Sequence, residues 1–240
     1  GMGPIGVVEK LVKYLPRNIF SDFDKSNITP VSSAPYGSAS ILAISYSYIS
    51  MMGGAALKKA TELSILNANY IRSRLQDHYQ VLYKGINGTS AHEFIIDCRD
   101  FKSDTDVEVE DIAKRLMDYG YHAPTVSFPV PGTMMIEPTE SETKAELDKF
   151  CDVMIEIRNE IEEIRNGTYD KVNNVLKNAP HTASVVTASS WVFPYTREKA
   201  AYPLDIVSSN KFWPSVGRVD NAHGDRNLFC SCIPLEEYSS

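Results

Sequence analysis

The chain has no excess of basic residues, few cysteines and no long uninterrupted apolar run, and each shortage removes a class of protein. With 24 Lys and Arg against 31 Asp and Glu, the formal net charge is −7. No broad positive field exists to draw in nucleic acid or an anionic membrane, so neither is expected as a partner. No stretch approaches the ~20 consecutive apolar residues of a membrane span, and the expectation is a soluble protein. The four cysteines are Cys98, Cys151, Cys230 and Cys232, and only the last two lie close together. That excludes a disulfide framework and points to an intracellular protein. Asn27, Asn87 and Asn166 begin glycosylation sequons, which read as chance matches. C-x-C at Cys230 and Cys232 lacks the spaced second pair that closes a zinc site, so no metal is expected there, and the pair reads as redox-active or as plain buried thiols. His223 and Asp225 lie near that pair in the sequence, whereas the other four histidines, His78, His92, His122 and His181, are scattered, and none is spaced from a Cys or Ser so as to announce a nucleophile.

What is present is an ordinary globular composition: 240 residues, 43% hydrophobic and 23% charged. Such a chain can bury about 70% of its unfolded surface. Residues 1–78 open with a Gly-, Pro- and Ser-rich stretch and become helical from about 40, in two pieces split by Gly53 and Gly54. Residues 79–167 change period. YQVLYKG, HEFIIDCRD, TVSFPV and TMMIEP read as strands, VEDIAKRLMDYG as a helix ending at Gly120, and ESETKAELDKFCDVMIEIRNEIEEIRNG as a long helix stopped by Gly167. Two strands, a helix, two strands and a helix predict an antiparallel sheet with helices on one face, an α+β arrangement. Residues 168–240 are irregular yet rich in aromatics and prolines, which predicts a segment spread over another surface.

Three motifs invite chemistry. Gly1, Gly3 and Gly6 fit the G-x-G-x-x-G of a dinucleotide site, with Asp22 and Asp24 at the distance of a ribose-binding acid. No strand precedes the glycines to aim them, however, and the pattern alone is weak. The acid cluster EPTESE, Glu137 to Glu142, is better explained as a strand end at Pro138 followed by a helix cap at Thr139 or Ser141, with acids in the first turn. APYGSAS places Tyr36, Gly37 and Ser38 at a helix entrance, where backbone N–H groups and a hydroxyl either receive an anion such as a cofactor phosphate or merely form a turn and cap.

Taken in order, SSAPYGSASILAISYSYISMMGG, HAPTVSFPVPGTMMIEPTESETKAELDKFCDVMIEIRNEI, PYTREKAAYPL and KFWPSVGRVDNAHGDRNLFCSC resemble the C-terminal part of the glycine decarboxylase P-protein family of the glycine cleavage system. The resemblance spans essentially the whole chain. It implies the small C-terminal domain of a fold-type-I pyridoxal-phosphate enzyme, and it makes GMGPIG the interior of a longer protein. The lysine that holds pyridoxal phosphate then lies upstream, so no catalytic residue is assigned here and this part alone is expected to be inactive. The resemblance further implies glycine as substrate and, as partners, the upstream portion of the enzyme and the lipoylated H-protein that receives the aminomethyl group. A homo-oligomeric whole enzyme is implied too, in the cytoplasm of a bacterium or a mitochondrial matrix. Tyr36, Gly37 and Ser38 are then expected near the cofactor. Arg197 is expected near the substrate, where a guanidinium holds a carboxylate by two parallel hydrogen bonds; a structural contact with Glu198 is the alternative.

Overall fold

The computed structural model describes residues 3–20, 28–34 and 37–228. Tyr36, Cys230 and Cys232 lie outside the described residues. The chain divides into two compact units, Gly1–Thr61 and Glu62–Ser240.

The first unit holds 3-10 turns at Glu9–Tyr14 and Ala39–Ile41, the latter leading into helix α1, Leu42–Leu75. The helix is interrupted where the sequence places its two glycines: Gly53 has φ 62° and ψ 172°, a conformation open to glycine because it has no Cβ. None of the hydrophobic side chains described between residues 3 and 61 is buried, and Ile44, Tyr46 and Met51 are among the most exposed. Contrary to the reading of the sequence, Ala39–Leu75 is apolar and long enough by composition to cross a membrane. Serines and tyrosines break up its apolar runs, so the property emerges only from the window average. Gly53 takes non-helical φ/ψ within it, and a break in helical geometry is disfavoured where lipid offers no other partner for the backbone. This segment reads better as a surface for packing against protein.

In the second unit, β1 (Gln80–Leu82), β2 (Phe94–Asp97), β3 (Thr125–Val126) and β4 (Thr133–Ile136) form one antiparallel sheet in the order β1-β2-β4-β3. Phe94 pairs with Ile136 and Ile96 with Met134, so four apolar side chains share one face. That face joins the core with Ile112 and Leu116 of α3 (Val109–Asp118) and Met154, Ile157 and Ile161 of α4 (Lys144–Arg165). The apolar positions of α4 step by three or four as the sequence requires; of the expected set only Phe150 is left half-buried. The α+β small domain predicted from the pattern is therefore present. Two details differ. Arg99 and Asp100, read as the end of a strand, instead open a further helix, α2 (Arg99–Thr105), over residues that the sequence left unassigned. The cap of α4 is Thr143, whose hydroxyl accepts from the Glu146 amide at 3.2 Å, whereas Thr139 and Ser141 bond each other.

The β3–β4 turn depends on Gly132, at φ 76°. A Cβ there would lie 2.7 Å from Cγ of Arg99, and Arg99 is tied to Asp97 by hydrogen bonds of 2.8 and 2.5 Å. Gly132→Ala is expected to cost at least the ~1–2 kcal/mol of a left-handed residue bearing a Cβ, read as a lower chemical-denaturation midpoint at unchanged slope. An unchanged midpoint would show that the turn relaxes freely.

The irregular segment is not loose over its described length. It lies along α3, whose residues Asp111, Arg115 and Asp118 form a polar stripe at i, i+4 and i+7 opposite the apolar Ile112 and Leu116. Lys177 and Arg218 each reach Asp111 at 2.8 Å. Arg115 donates to the carbonyls of Lys199 and Ala200 at 2.7 and 3.0 Å. Asp118 takes His181, and its carbonyl accepts from Lys211 at 2.5 Å.

Candidate functional site

Among the described residues, three places hold the polar groups that chemistry would need. The first is a groove of about 820 Å³ bordered by the end of α3, the 121–126 segment, the end of β4 and the start of α4. Met117, Leu147 and Phe150 give it apolar walls, and Glu137, Glu142 and Glu146 stand against Lys114 and His122. Tyr121 donates to Glu146 at 3.1 Å, and burial together with that carboxylate pushes its hydroxyl pKa up. This volume suits a small organic ligand, but the excess of carboxylates is the wrong charge for a phosphate.

The second place is the buried network beneath the tail. Arg115 makes hydrogen bonds of 2.6–3.2 Å to Glu160 and one of 2.9 Å to Asp118. Asp118 meets Nδ1 of His181 at 2.8 Å, and Nε2 of His181 meets the Tyr195 hydroxyl at 2.8 Å. Burial alone would raise the Asp118 carboxyl, yet the hydrogen bond from His181 and the charge of Arg115 hold it below its ordinary value. Burial also works against the Arg115 charge, but Glu160 and its other partners raise the guanidinium well above normal. Asp–His–Tyr is a proton-relay arrangement in form, but these side chains are sealed from solvent. Its evident work is to seat the 179–201 segment on α3. Sequence reasoning did not find it. The available signal was a charged stripe at helical spacing on a helix whose other face is fully apolar.

Arg197 lies at the start of a short helix, Arg197–Ala201, whose cap is Thr196. Its guanidinium sits 5.1 Å over the ring of Trp191 and donates to the carbonyl of Ala188 at 2.7 Å. Its Nε is buried without a hydrogen-bond partner. Among the described residues no carboxylate pairs with it, so the alternative contact with Glu198 is not made. Trp191 is held in turn by its indole N–H on the carbonyl of Tyr195 at 2.5 Å. The result is an oriented, half-buried cation with unspent donors.

The third place is the entrance to α1. Gly37 has φ 79°, and the hydroxyls of Ser38 and Ser40 lie 2.8 Å apart, exposed, with Ser38 making no side-chain cap bond. Hydroxyls and helix N–H groups suit the phosphate end of a cofactor such as pyridoxal phosphate. For the reactive end, the amine to weigh is Lys211, held down to about 8 by burial. It is committed to the Asp118 carbonyl and lies over the rings of Trp213 and Tyr202, at 5.0 and 6.0 Å. The described residues therefore fit the phosphate end of that cofactor and no more.

The class of protein that the described residues define is a small antiparallel α+β domain carrying a long segment strapped to one helix. A family model described as "Glycine dehydrogenase, C-terminal domain" matches residues 60–181. The chain is 63% identical over 239 residues to the glycine dehydrogenase (decarboxylating) of Flavobacterium johnsoniae, covering 99% of this chain and 25% of that one. It is 60% identical over 240 residues to the enzyme of the same description from Christiangramia forsetii, covering 100% and 25%. To the mitochondrial glycine dehydrogenase (decarboxylating) of Solanum tuberosum it is 56% identical over 244 residues, covering 99% and 24%. The chain belongs to the glycine dehydrogenase (decarboxylating) family and carries its C-terminal domain. It spans about a quarter of the length of these curated relatives.

Proposed function

We propose that this chain is the C-terminal portion of an enzyme that decarboxylates glycine and passes the aminomethyl group to the lipoyl arm of an H-protein. The observation that carries the reading is identity of 56–63% along the whole chain to relatives named for that decarboxylation. Bound pyridoxal phosphate supplies the electron sink that decarboxylation needs. Gly37 and Ser38, with Ser40, are the residues here that would hold its phosphate, and Tyr36 is kept as a neighbour. Arg197 orients glycine through its carboxylate, its free donors directed by Trp191 and Ala188, and the surrounding aromatic side chains keep water from the ion pair. The reactive lysine is assigned to the upstream portion, and the whole enzyme is read as a homo-oligomer of the bacterial cytoplasm or the mitochondrial matrix.

The test is reconstitution. Co-expressed with the upstream portion of a close relative, the chain is expected to form a yellow complex that exchanges CO₂ with the glycine carboxyl when H-protein is added. Each half alone is expected to be inactive. In the complex, Arg197→Lys should raise KM for glycine about tenfold or more, the loss of one bidentate contact. Two soluble halves that neither associate nor bind cofactor would overturn the reading.

A further inference from the structure

We propose that His92, Glu93 and Glu137 bind a divalent transition-metal ion, zinc or manganese, at the rim of the groove. The site does not depend on the functional reading above. One ligand atom from each of the three side chains lies within 4.8 Å of the others. Nε2 of His92 stands 3.6 Å from Oε1 of Glu137 and 4.0 Å from Oε2 of Glu93. A metal that binds nitrogen and oxygen at about 2.0–2.2 Å sets neighbouring ligand atoms roughly 3–3.6 Å apart, so the His92–Glu137 pair already stands at ligand spacing and the Glu93 carboxylate must close in to complete the set.

The backbone explains why the three groups meet. Phe94 pairs with Ile136 at the end of the β2–β4 ladder, which puts Glu93 and Glu137 side by side just beyond it. Like charges facing each other across a strand pair are destabilising, and a sheet end normally relieves that with a lysine or arginine. Among the described residues none pairs with either acid; the one basic group present is the His92 imidazole. Both ligand-bearing segments are also fixed from behind by α1. Asn69 donates to the Ser90 carbonyl at 2.7 Å and accepts from its amide at 2.9 Å, and Asn67 donates to the Thr139 carbonyl at 2.9 Å. One imidazole with two carboxylates suits zinc or manganese better than calcium, which takes oxygen alone. Three protein ligands leave positions for water or a bound molecule, and Glu137 itself borders the groove. The sequence does not announce the site, because Glu137 is 44 residues from Glu93 and meets it only through strand pairing.

The experiment is Mn²⁺ titration of the full 240-residue chain, read by the EPR signal of free ion, because manganese avoids thiolates and so bypasses Cys230 and Cys232. One equivalent is expected to bind, with affinity at least tenfold weaker in Glu137→Gln and in His92→Ala, both checked for unchanged circular dichroism. Should either variant misfold, Glu93→Gln serves the same comparison. Failure of Mn²⁺ and Zn²⁺ to bind, or binding that all folded variants retain unchanged, would overturn the proposal. So would zinc binding abolished by thiol alkylation but indifferent to Glu137→Gln.

Discussion

Arg115→Met is expected to destabilise the domain by about 3–5 kcal/mol, the loss found when one partner of a buried ion pair is removed. Arg115, Glu160 and Asp118 have side chains with no solvent exposure, so deleting the cation strands two carboxylates in the core. Two carbonyls of the tail, those of Lys199 and Ala200, lose their donor at the same time. Urea denaturation followed by fluorescence is the measurement, since Trp191 packs against Tyr195 and Phe193 beside the network. The double variant Arg115→Met, Glu160→Met is expected to be less damaged than Arg115→Met alone, because it removes one stranded charge. A single variant within about 1 kcal/mol of the parent would mean that water reaches the site. The pH dependence has a definite sign. The Asp118 carboxyl is lower in the folded chain than in the unfolded one, so its stabilisation is complete above an unfolded value near 3.9 and is lost as pH falls through the folded value below it.

Thiol labelling should divide the cysteines sharply. Burial raises the Cys98 thiol to about 12, with Asp97 adding to it, and the Cys151 thiol to about 11. Against an ordinary thiol near 8.5, the thiolate fraction at neutral pH falls by roughly 10³-fold at Cys98 and by 10²-fold or more at Cys151. Both are also sealed in the core, at 1% and 0% exposure. Native-state reaction with a maleimide, mapped by mass spectrometry, is expected to leave Cys98 and Cys151 unmodified until denaturant is added. Labelling is expected instead at Cys230 or Cys232, four and six residues past Arg226 in the sequence, which is the outcome that the redox-active reading of that pair requires. Rapid modification of Cys98 in the native protein would show that the β2 end opens far more often than its burial implies, and two silent C-terminal thiols would end the redox proposal.

The sheet and its two main helices were legible because their instruction is local. Apolar residues at helical spacing from Leu147 to Ile164 and short β-branched runs at Phe94–Ile96 specify period and face without reference to the rest of the chain. The helix at Arg99–Thr105 was missed because CRDFKSD has too few apolar positions to show a period; Phe101 and Thr105, its two buried residues, become meaningful only against the core. The tail's docking surface was illegible for a stronger reason. Asp111, Arg115 and Asp118 look like the solvated side of an amphipathic helix, and only partners between 45 and 107 residues distant turn that side inward. The same holds for Arg197. The sequence offers Glu198 as its neighbour, but the chain turns the guanidinium onto Trp191.

That stripe on α3 also bears on the order in which the molecule assembles. The sheet, α3 and α4 are drawn from residues 80–165, a compact stretch of chain, whereas the bonds from Lys211 to Asp118 and from Arg218 to Asp111 span 93 and 107 positions. Closing loops of that size is slow relative to the local pairings. The sheet and its helices are thus expected to pair first, with Arg115 already met by Glu160 of α4, and the 177–218 segment then closes over α3 as a clasp that brings Lys177 and Arg218 to Asp111 and His181 to Asp118.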